Sequence, residues 1–179
     1  MEARKSRIIV GKAGGTAGRN AKTYKLSLPS AWLRELGIGE SARDVKLSFD
    51  GDRIIISKAL SFEEFAKKKK RENHEIKLLS YYDGSVLCSR ICADFTDRTL
   101  CVENEDVRNL KRAFGAKEEP DWEDFLAFLE ERCVPRQRAG IGTYLEALGI
   151  DEYDPLEIVM RTQGKMAEDG QWLKIEEAI

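Results

Sequence analysis

Apolar and polar residues alternate with a period of two through much of the first sixty residues, which is typical of half-buried β-strands. Residues 24–28 read Y-K-L-S-L, Pro29 ends that strand, and residues 30–36 have the apolar spacing of a short helix that stops at Gly37. Asp50 and Gly51 form a hairpin signal between two further strands. The pattern predicts strands over residues 7–10, 24–28, 44–49 and 53–57.

The segment over residues 25–58 is too small to bury enough apolar surface to be stable alone. We therefore expect it to be completed either by the rest of the chain or by a second copy. The segment before it, residues 11–22, is rich in glycine and small side chains and predicts a flexible loop.

The second half of the chain predicts a different architecture. Residues 61–73 predict a charged helical linker, in which the five cations of residues 67–71 favour a solvated helix face over a phosphate contact. A small antiparallel sheet is then expected over residues 75–81, 85–93 and 98–102, with a last strand at 172–175. Four helices are expected over residues 104–114, 120–133, 137–148 and 155–163, the first capped by Asn104 and the last by Asp154. The sequence thus predicts an α+β protein with domains at residues 1–60 and 74–179.

The charge is distributed unevenly along the chain. Residues 1–60 hold 12 Lys and Arg against 6 Asp and Glu, a net charge of +6, whereas residues 73–179 hold 13 against 23, a net charge of −10. A basic half indicates a polyanionic partner such as nucleic acid, and the alternative is two ordinary solvated surfaces. No apolar run reaches membrane-spanning length and the N-terminus lacks the apolar core of a signal peptide. We expect a cytoplasmic protein with no membrane partner.

No catalytic constellation is visible in the sequence. The single histidine, His74, has no evident nucleophile beside it and is interpreted as a surface residue. Gly14, Gly15 and Gly18 do not form the GxGxxG motif of nucleotide-binding loops. The four cysteines lack paired CxxC spacing, which favours reduced thiols packed as small apolar residues over a zinc site. We therefore expect a protein that is not an enzyme and needs no cofactor or metal.

Basic residues cluster in and beside the glycine-rich loop. Lysine and arginine neutralise phosphates, while arginine and asparagine side chains can also contact bases. The alternative is a loop whose charges are only solvated. The predicted DNA contacts are Arg4, Lys5, Arg7, Lys12, Arg19, Asn20, Lys22 and Lys25, with Arg34 on the short helix.

The order of these elements carries a family resemblance. The sequence K-L-S-L-P-S-A-W-L-R-E-L-G-I covers residues 25–38, and D-V-K-L-S-F-D-G-D-R-I-I-I-S-K covers residues 44–58. Residues 7–58 resemble the AbrB/MazE/SpoVT family of swapped-hairpin DNA-binding domains. The resemblance implies a homodimer in which hairpins of two chains interleave into one β-barrel, with Lys25 and Arg34 as DNA contacts. The chain departs from the family pattern in its longer, glycine-rich loop.

A second resemblance concerns the acidic half. The segments F-L-E-E-R-C-V-P-R-Q-R (residues 128–138), Y-D-P-L-E-I-V (153–159) and G-K-M-A-E-D-G-Q-W (164–172) resemble a C-terminal module of bacterial proteins linked to HipA-like kinase toxins. The two resemblances together imply a transcriptional regulator that binds double-stranded DNA, and an antitoxin or autoregulator that also binds a toxin or other protein. The alternative is a dimeric protein-binding adaptor whose barrel serves only for dimerisation.

Overall fold

The computed structural model describes residues 2–12 and 21–177. The chain divides into two compact units, Met1–Ala59 and Leu60–Ile179. The described residues form small antiparallel sheets and five α-helices, so the mixed α+β class is confirmed. The division between the units follows Ala59, and residues 61–73, predicted as a linker, belong to the second unit.

Two separate β-ribbons and one short helix make up the described part of the first unit. Strands β1 (Ile9–Lys12) and β2 (Lys22–Lys25) pair antiparallel, and helix α1 (Ser30–Glu35) follows. Strands β3 (Val45–Phe49) and β4 (Ile54–Lys58) form the second antiparallel ribbon. No closed barrel is formed by the residues described in this unit, so the swapped-hairpin barrel stays a prediction.

The local stop signals in the first unit work as predicted. Gly37 follows α1 with a φ of 70°, a left-handed conformation that glycine adopts without strain. At the β3–β4 turn, Gly51 has a φ of 94°, and the Asp50 carboxylate accepts hydrogen bonds from the backbone N–H groups of Asp52 and Arg53. The Asp50-Gly51 turn is therefore confirmed.

The first unit has no core of its own among its described residues, none of which is buried. Eleven large apolar side chains of this unit are instead exposed to between 39% and 72%. A two-stranded ribbon is marginally stable in water unless its apolar face is covered. The exposed residues are Ile8, Ile9, Val10, Tyr24, Leu26, Leu36, Val45, Leu47, Phe49, Ile54 and Ile55.

The second unit is built on a four-stranded antiparallel sheet. Its strands are β5 (Ile76–Asp83), β6 (Val86–Asp94), β7 (Thr99–Asn104) and β8 (Gln171–Glu177), in the order β7-β6-β5-β8. Its helices are α2 (Phe62–Arg71), α3 (Trp122–Glu131), α4 (Ile141–Leu148) and α5 (Pro155–Thr162), and a 3₁₀ turn spans Asn109–Lys111.

Apolar side chains from both faces of this sheet are buried. Because successive strand residues point to opposite faces, the neighbours Ile91 and Cys92 enter different clusters. Cys92 packs with Phe62 of α2, and Ile91 packs with the main core that includes Phe125 of α3 and Ile158 of α5. The main core of the protein thus lies entirely in the second unit.

The predicted helix over residues 104–114 is wrong. Asn104 ends strand β7, and its side-chain oxygen accepts a hydrogen bond from Ser89 Oγ at 2.7 Å instead of capping a helix. Only the short 3₁₀ turn forms after it, and Leu110, expected on the buried face, is 91% exposed. Asn104 is the last β7 residue that pairs with β6, and the N–H of Glu105 donates to the carbonyl oxygen of Cys88, so the start of the predicted helix continues the sheet instead.

Helix α2 is fixed to the sheet. Ser61 and Glu64 form a reciprocal capping box at its start. The guanidinium of Arg90 lies 4.1 Å from the centre of the Phe62 ring and is 2.9 Å from a carboxylate oxygen of Glu63. The prediction that residues 67–71 form a solvated face is wrong for Lys69, which is buried.

Candidate nucleic-acid interface and buried ion cluster

Three of the predicted DNA contacts lie on the β1–β2 ribbon. Lys12 and Lys22 are direct cross-strand partners at the end that leads into the glycine-rich loop. Partners in an antiparallel pair point to the same face, so these two side chains leave the ribbon side by side, on the face that also carries Val10 and Tyr24. Lys25 pairs with Ile9 on the other face of the ribbon. The structure therefore groups Lys12 with Lys22 and separates both from Lys25.

The remaining predicted contacts are more dispersed. Arg4, Lys5 and Arg7 are exposed in the segment before β1, and Arg34 is exposed in the last turn of α1. A cation in that turn also interacts favourably with the helix dipole. Arg19 and Asn20 lie outside the described residues.

The Lys12–Lys22 pair has a clear electrostatic property. Like charges placed directly opposite each other on a ribbon destabilise it. An anion near both ammonium groups removes that repulsion and adds two attractive contacts. The end of the ribbon therefore presents two like charges that an anion can neutralise together, which makes it a candidate phosphate contact.

The second ribbon carries an apolar face that the sequence analysis did not single out. The register places Val45, Leu47, Phe49, Ile54 and Ile56 on one face of the β3–β4 pair. Phe49 and Ile54 are direct partners at the turn end and are 72% and 71% exposed. In the sequence, the alternation of apolar and polar residues over 45–49 signals this face. The partner strand contains the continuous apolar run I-I-I, in which no alternation shows which residues share the face.

A cluster of ionisable side chains with a buried centre lies in the second unit. Lys69 at the end of α2 places its ammonium 2.8 Å from Asp94 Oδ2 and 2.6 Å from Asp97 Oδ2. His74 Nδ1 lies 2.9 Å from the same oxygen of Asp94. The Asp94 carboxylate is fully buried, and its other oxygen accepts the backbone N–H groups of Thr96 and Asp97.

This cluster corrects the interpretation of His74 made from the sequence. His74 is not a surface residue, because its side chain is 16% exposed and hydrogen-bonded to Asp94. Asp94 and Asp97 lie at a turn after β6, and their carboxylates hold a buried lysine. Residues from α2, the following connection and the end of β6 meet here, and their separation in sequence hides the arrangement.

The ligand atoms of His74, Asp94 and Asp97 lie within 4.8 Å of one another, a spacing that can hold a metal ion. The ammonium of Lys69 already contacts both carboxylates in the position where such an ion would neutralise them. The donor set therefore fits a structural ion pair better than a metal centre.

Asp94 is held in its charged form. Burial would raise the pKa of Asp94, but hydrogen bonds from Lys69, His74 and the Asp97 backbone outweigh it and lower the pKa from 3.8 to about 2. Burial likewise would lower the pKa of Lys69, and its hydrogen bonds to Asp94 and Asp97 raise it instead. Both groups stay ionised at neutral pH.

The low pKa of Asp94 predicts acid sensitivity of the second unit. Because the folded pKa lies below the unfolded one, the stabilisation is fully present above about pH 4 and is lost as the pH falls towards 2. Its size is about 2 kcal/mol. Urea titrations at about pH 4 and about pH 2 give the unfolding free energies of the wild type and of Asp94→Asn. Between these two pH values the wild type should lose about 2 kcal/mol more than Asp94→Asn. Equal losses in the two proteins would contradict this assignment.

Within the described ranges, no helix combines the length and apolar character that crossing a bilayer requires. The chain matches no protein-family model, no curated protein and no solved structure. Both family resemblances therefore stay predictions that rest on the residues quoted for them.

Proposed function

We propose that this chain is a homodimeric DNA-binding protein of the transcription-regulator type, which dimerises through its first unit and contacts duplex phosphates with the basic β1–β2 ribbon. The observation that supports it most strongly is the absence of buried residues in the described part of that unit, together with its exposed apolar faces. The resemblance of residues 7–58 to swapped-hairpin DNA-binding domains agrees with this proposal.

The apolar face of the β3–β4 ribbon supports dimerisation. Each large apolar side chain that moves from water into a core contributes about 1.5–3 kcal/mol. A second copy supplies a matching face with the same residues, as in a symmetric interface. Phe49 and Ile54 would then pack against their equivalents or against the β1–β2 ribbon of the other copy. The interleaved barrel is the arrangement that removes the open strand edges as well.

The charge distribution supports a nucleic-acid partner. The first sixty residues carry a net charge of +6 although the whole chain carries −2. A dimer presents two Lys12–Lys22 pairs to one duplex, and each neutralised phosphate releases a counterion. Affinity should therefore fall steeply as the salt concentration rises.

Removing the paired lysines tests the DNA interface. We expect Lys12→Ala/Lys22→Ala to weaken duplex binding by about tenfold or more at low salt and to reduce the slope of log K against log salt by roughly two to four. Fluorescence anisotropy with a labelled duplex measures both quantities. The matched control is Lys67→Ala/Lys68→Ala, which removes the same charge from an exposed part of α2.

The same titration separates the proposal from a dimeric adaptor. An adaptor would form the dimer but bind duplex DNA no better than an unrelated protein of equal charge. If the two double variants lose affinity equally, the β1–β2 ribbon has no specific role in DNA contact. Sedimentation analysis of each variant verifies that the oligomeric state is unchanged.

A further inference from the structure

A cavity of about 480 Å³ lies in the second unit. Its lining comes from β5, α3, β8 and the connection between β7 and α3, which all belong to Leu60–Ile179. Pockets for small molecules commonly have volumes of about 300–1,000 Å³, with mostly apolar walls and a few polar groups. The cavity is thus of a suitable size for a compact organic ligand. None of the described residues proposed to bind DNA lines it.

The connection that forms one wall of the cavity is fixed to its surroundings. The backbone N–H of Ala113 donates to Ser89 Oγ at 3.1 Å, and Lys111 Nζ lies 2.6 Å from a carboxylate oxygen of Asp83. Lys117 forms an ion pair with Asp124 of α3 at the end of this connection. These contacts hold the wall in place without a ligand, so binding does not have to order it.

Two of the three cations around the cavity are already neutralised. Arg132 is buried and makes two hydrogen bonds with the Asp169 carboxylate, at 2.7 and 3.0 Å, and two more with the carbonyl oxygen of Gly164. Lys117 is paired with Asp124. Neither cation is available as the main contact for a bound anion.

Arg112 is the cation that remains. Its Nε is buried and has no hydrogen-bond partner in the described part of the chain. Over the part of the chain that the structure describes, its side chain makes one hydrogen bond, from a terminal nitrogen to the carbonyl oxygen of Glu105 at 3.3 Å. The buried Nε is closed to solvent, so a ligand in the cavity reaches the guanidinium through its terminal nitrogens, and a carboxylate matches their two-pronged geometry. Arg112 is therefore the lining cation that has no carboxylate partner among the described residues.

The apolar part of the wall is aromatic. Phe114 and Phe128 lie with ring centres 5.3 Å apart, and Tyr81 meets Phe128 edge-on at 5.2 Å. Leu110, also part of the lining, is 91% exposed. Flat apolar groups pack well against such rings. The carboxylates of Asp124 and Glu131 also line the cavity and disfavour a ligand with several negative charges.

We propose that this cavity binds a small aromatic monocarboxylate. The carboxylate pairs with the guanidinium of Arg112, and the ring packs against Phe114 and Phe128. The second unit is then a ligand-binding unit, whether or not the first unit binds DNA.

Calorimetric titration of the full chain tests this assignment with phenylacetate and indole-3-acetate as probes and their neutral amides as matched ligands. We expect both acids to bind about tenfold or more tightly than the amides, since the charged hydrogen bonds to Arg112 are missing in the amides. Arg112→Gln should remove this preference. Arg108→Gln, an exposed arginine of the same connection that does not line the cavity, should keep it.

Three results would overturn the proposal: no binding of either acid, equal binding of acids and amides, or an unchanged preference in Arg112→Gln. If Arg112→Gln does not fold, the comparison of acids with amides on the wild-type chain decides alone. Ligand-observed NMR should also show the probe ring close to aromatic protons of the protein, and a probe ring without such contacts contradicts the placement against Phe114 and Phe128.

Discussion

Replacing Phe49 with aspartate is expected to convert the protein from a dimer to a monomer and to unfold its first unit. Phe49 is 72% exposed in the single chain, so the substitution would cost little if the chain worked as a monomer. In the proposed dimer the ring is buried, and the variant loses about 3 kcal/mol of apolar burial and must bury a charge. The dimer should weaken by roughly a thousandfold or more.

Sedimentation velocity over a range of protein concentrations measures this change, and circular dichroism follows the loss of strand signal. Duplex binding should disappear together with the dimer. The matched control is Leu126→Asp, because Leu126 is an apolar residue of α3 that is 47% exposed in the second unit. A wild-type chain that sediments as a monomer, or a dimer that survives Phe49→Asp, would refute dimerisation through this face.

Replacing Asp94 with alanine is expected to destabilise the second unit by about 3–5 kcal/mol. Among the described residues, the substitution leaves the buried ammonium of Lys69 with the half-exposed Asp97 and the more distant Glu72 as its acidic partners. It also removes the acceptor for the backbone N–H groups of Thr96 and Asp97. Urea unfolding monitored by tryptophan fluorescence measures the loss, because two of the three tryptophans, Trp122 and Trp172, lie in this unit and only Trp32 lies in the first.

Two comparisons make the Asp94 measurement specific. Glu176→Ala breaks the ion pair between Lys174 and Glu176, whose side chains are both about half exposed, and should change the unfolding free energy far less than Asp94→Ala does. Lys69→Met/Asp94→Asn should recover part of the loss of Asp94→Ala, since no unpaired buried charge remains. If Asp94→Ala costs no more than Glu176→Ala, the cluster does not stabilise the unit.

Local signals along the chain predicted most strands and several helix ends. Asp154 caps α5 as predicted, accepting hydrogen bonds from the N–H groups of Leu156 and Glu157. The connection between β5 and β6 also lies close to the gap between the strands predicted over residues 75–81 and 85–93. These features depend on contacts between residues that are close in sequence, which a pattern can show.

Features that depend on distant contacts could not be predicted in the same way. The tail strand β8 was expected, but its place beside β5 joins residues about ninety positions apart. Arg132 reads as one charge among many on a helix, yet it is buried against Asp169 and Gly164, which lie more than thirty residues away. The helix predicted after Asn104 failed for a related reason, because Asn104 and Glu105 form hydrogen bonds with β6 and continue the sheet past the predicted start of the helix.

The candidate DNA site was predicted only in part. Residue types and charge identified the basic loop, and the register then showed which lysines share a face. The apolar face of the β3–β4 ribbon needed the strand register as well as the sequence pattern. The cavity beside Arg112 had no signal in the sequence, because its lining comes from four separate segments.

The distribution of the cysteines gives the protein an internal reporter of local opening. All four are free and lie in the second unit, and Cys88, Cys92 and Cys133 are buried. Burial raises the pKa of Cys92 and of Cys133 to about 12, so their reactive thiolate forms are scarce in the closed structure. The rate at which an alkylating reagent modifies these thiols therefore measures how often the sheet and helices separate, without a contribution from the cysteine-free first unit.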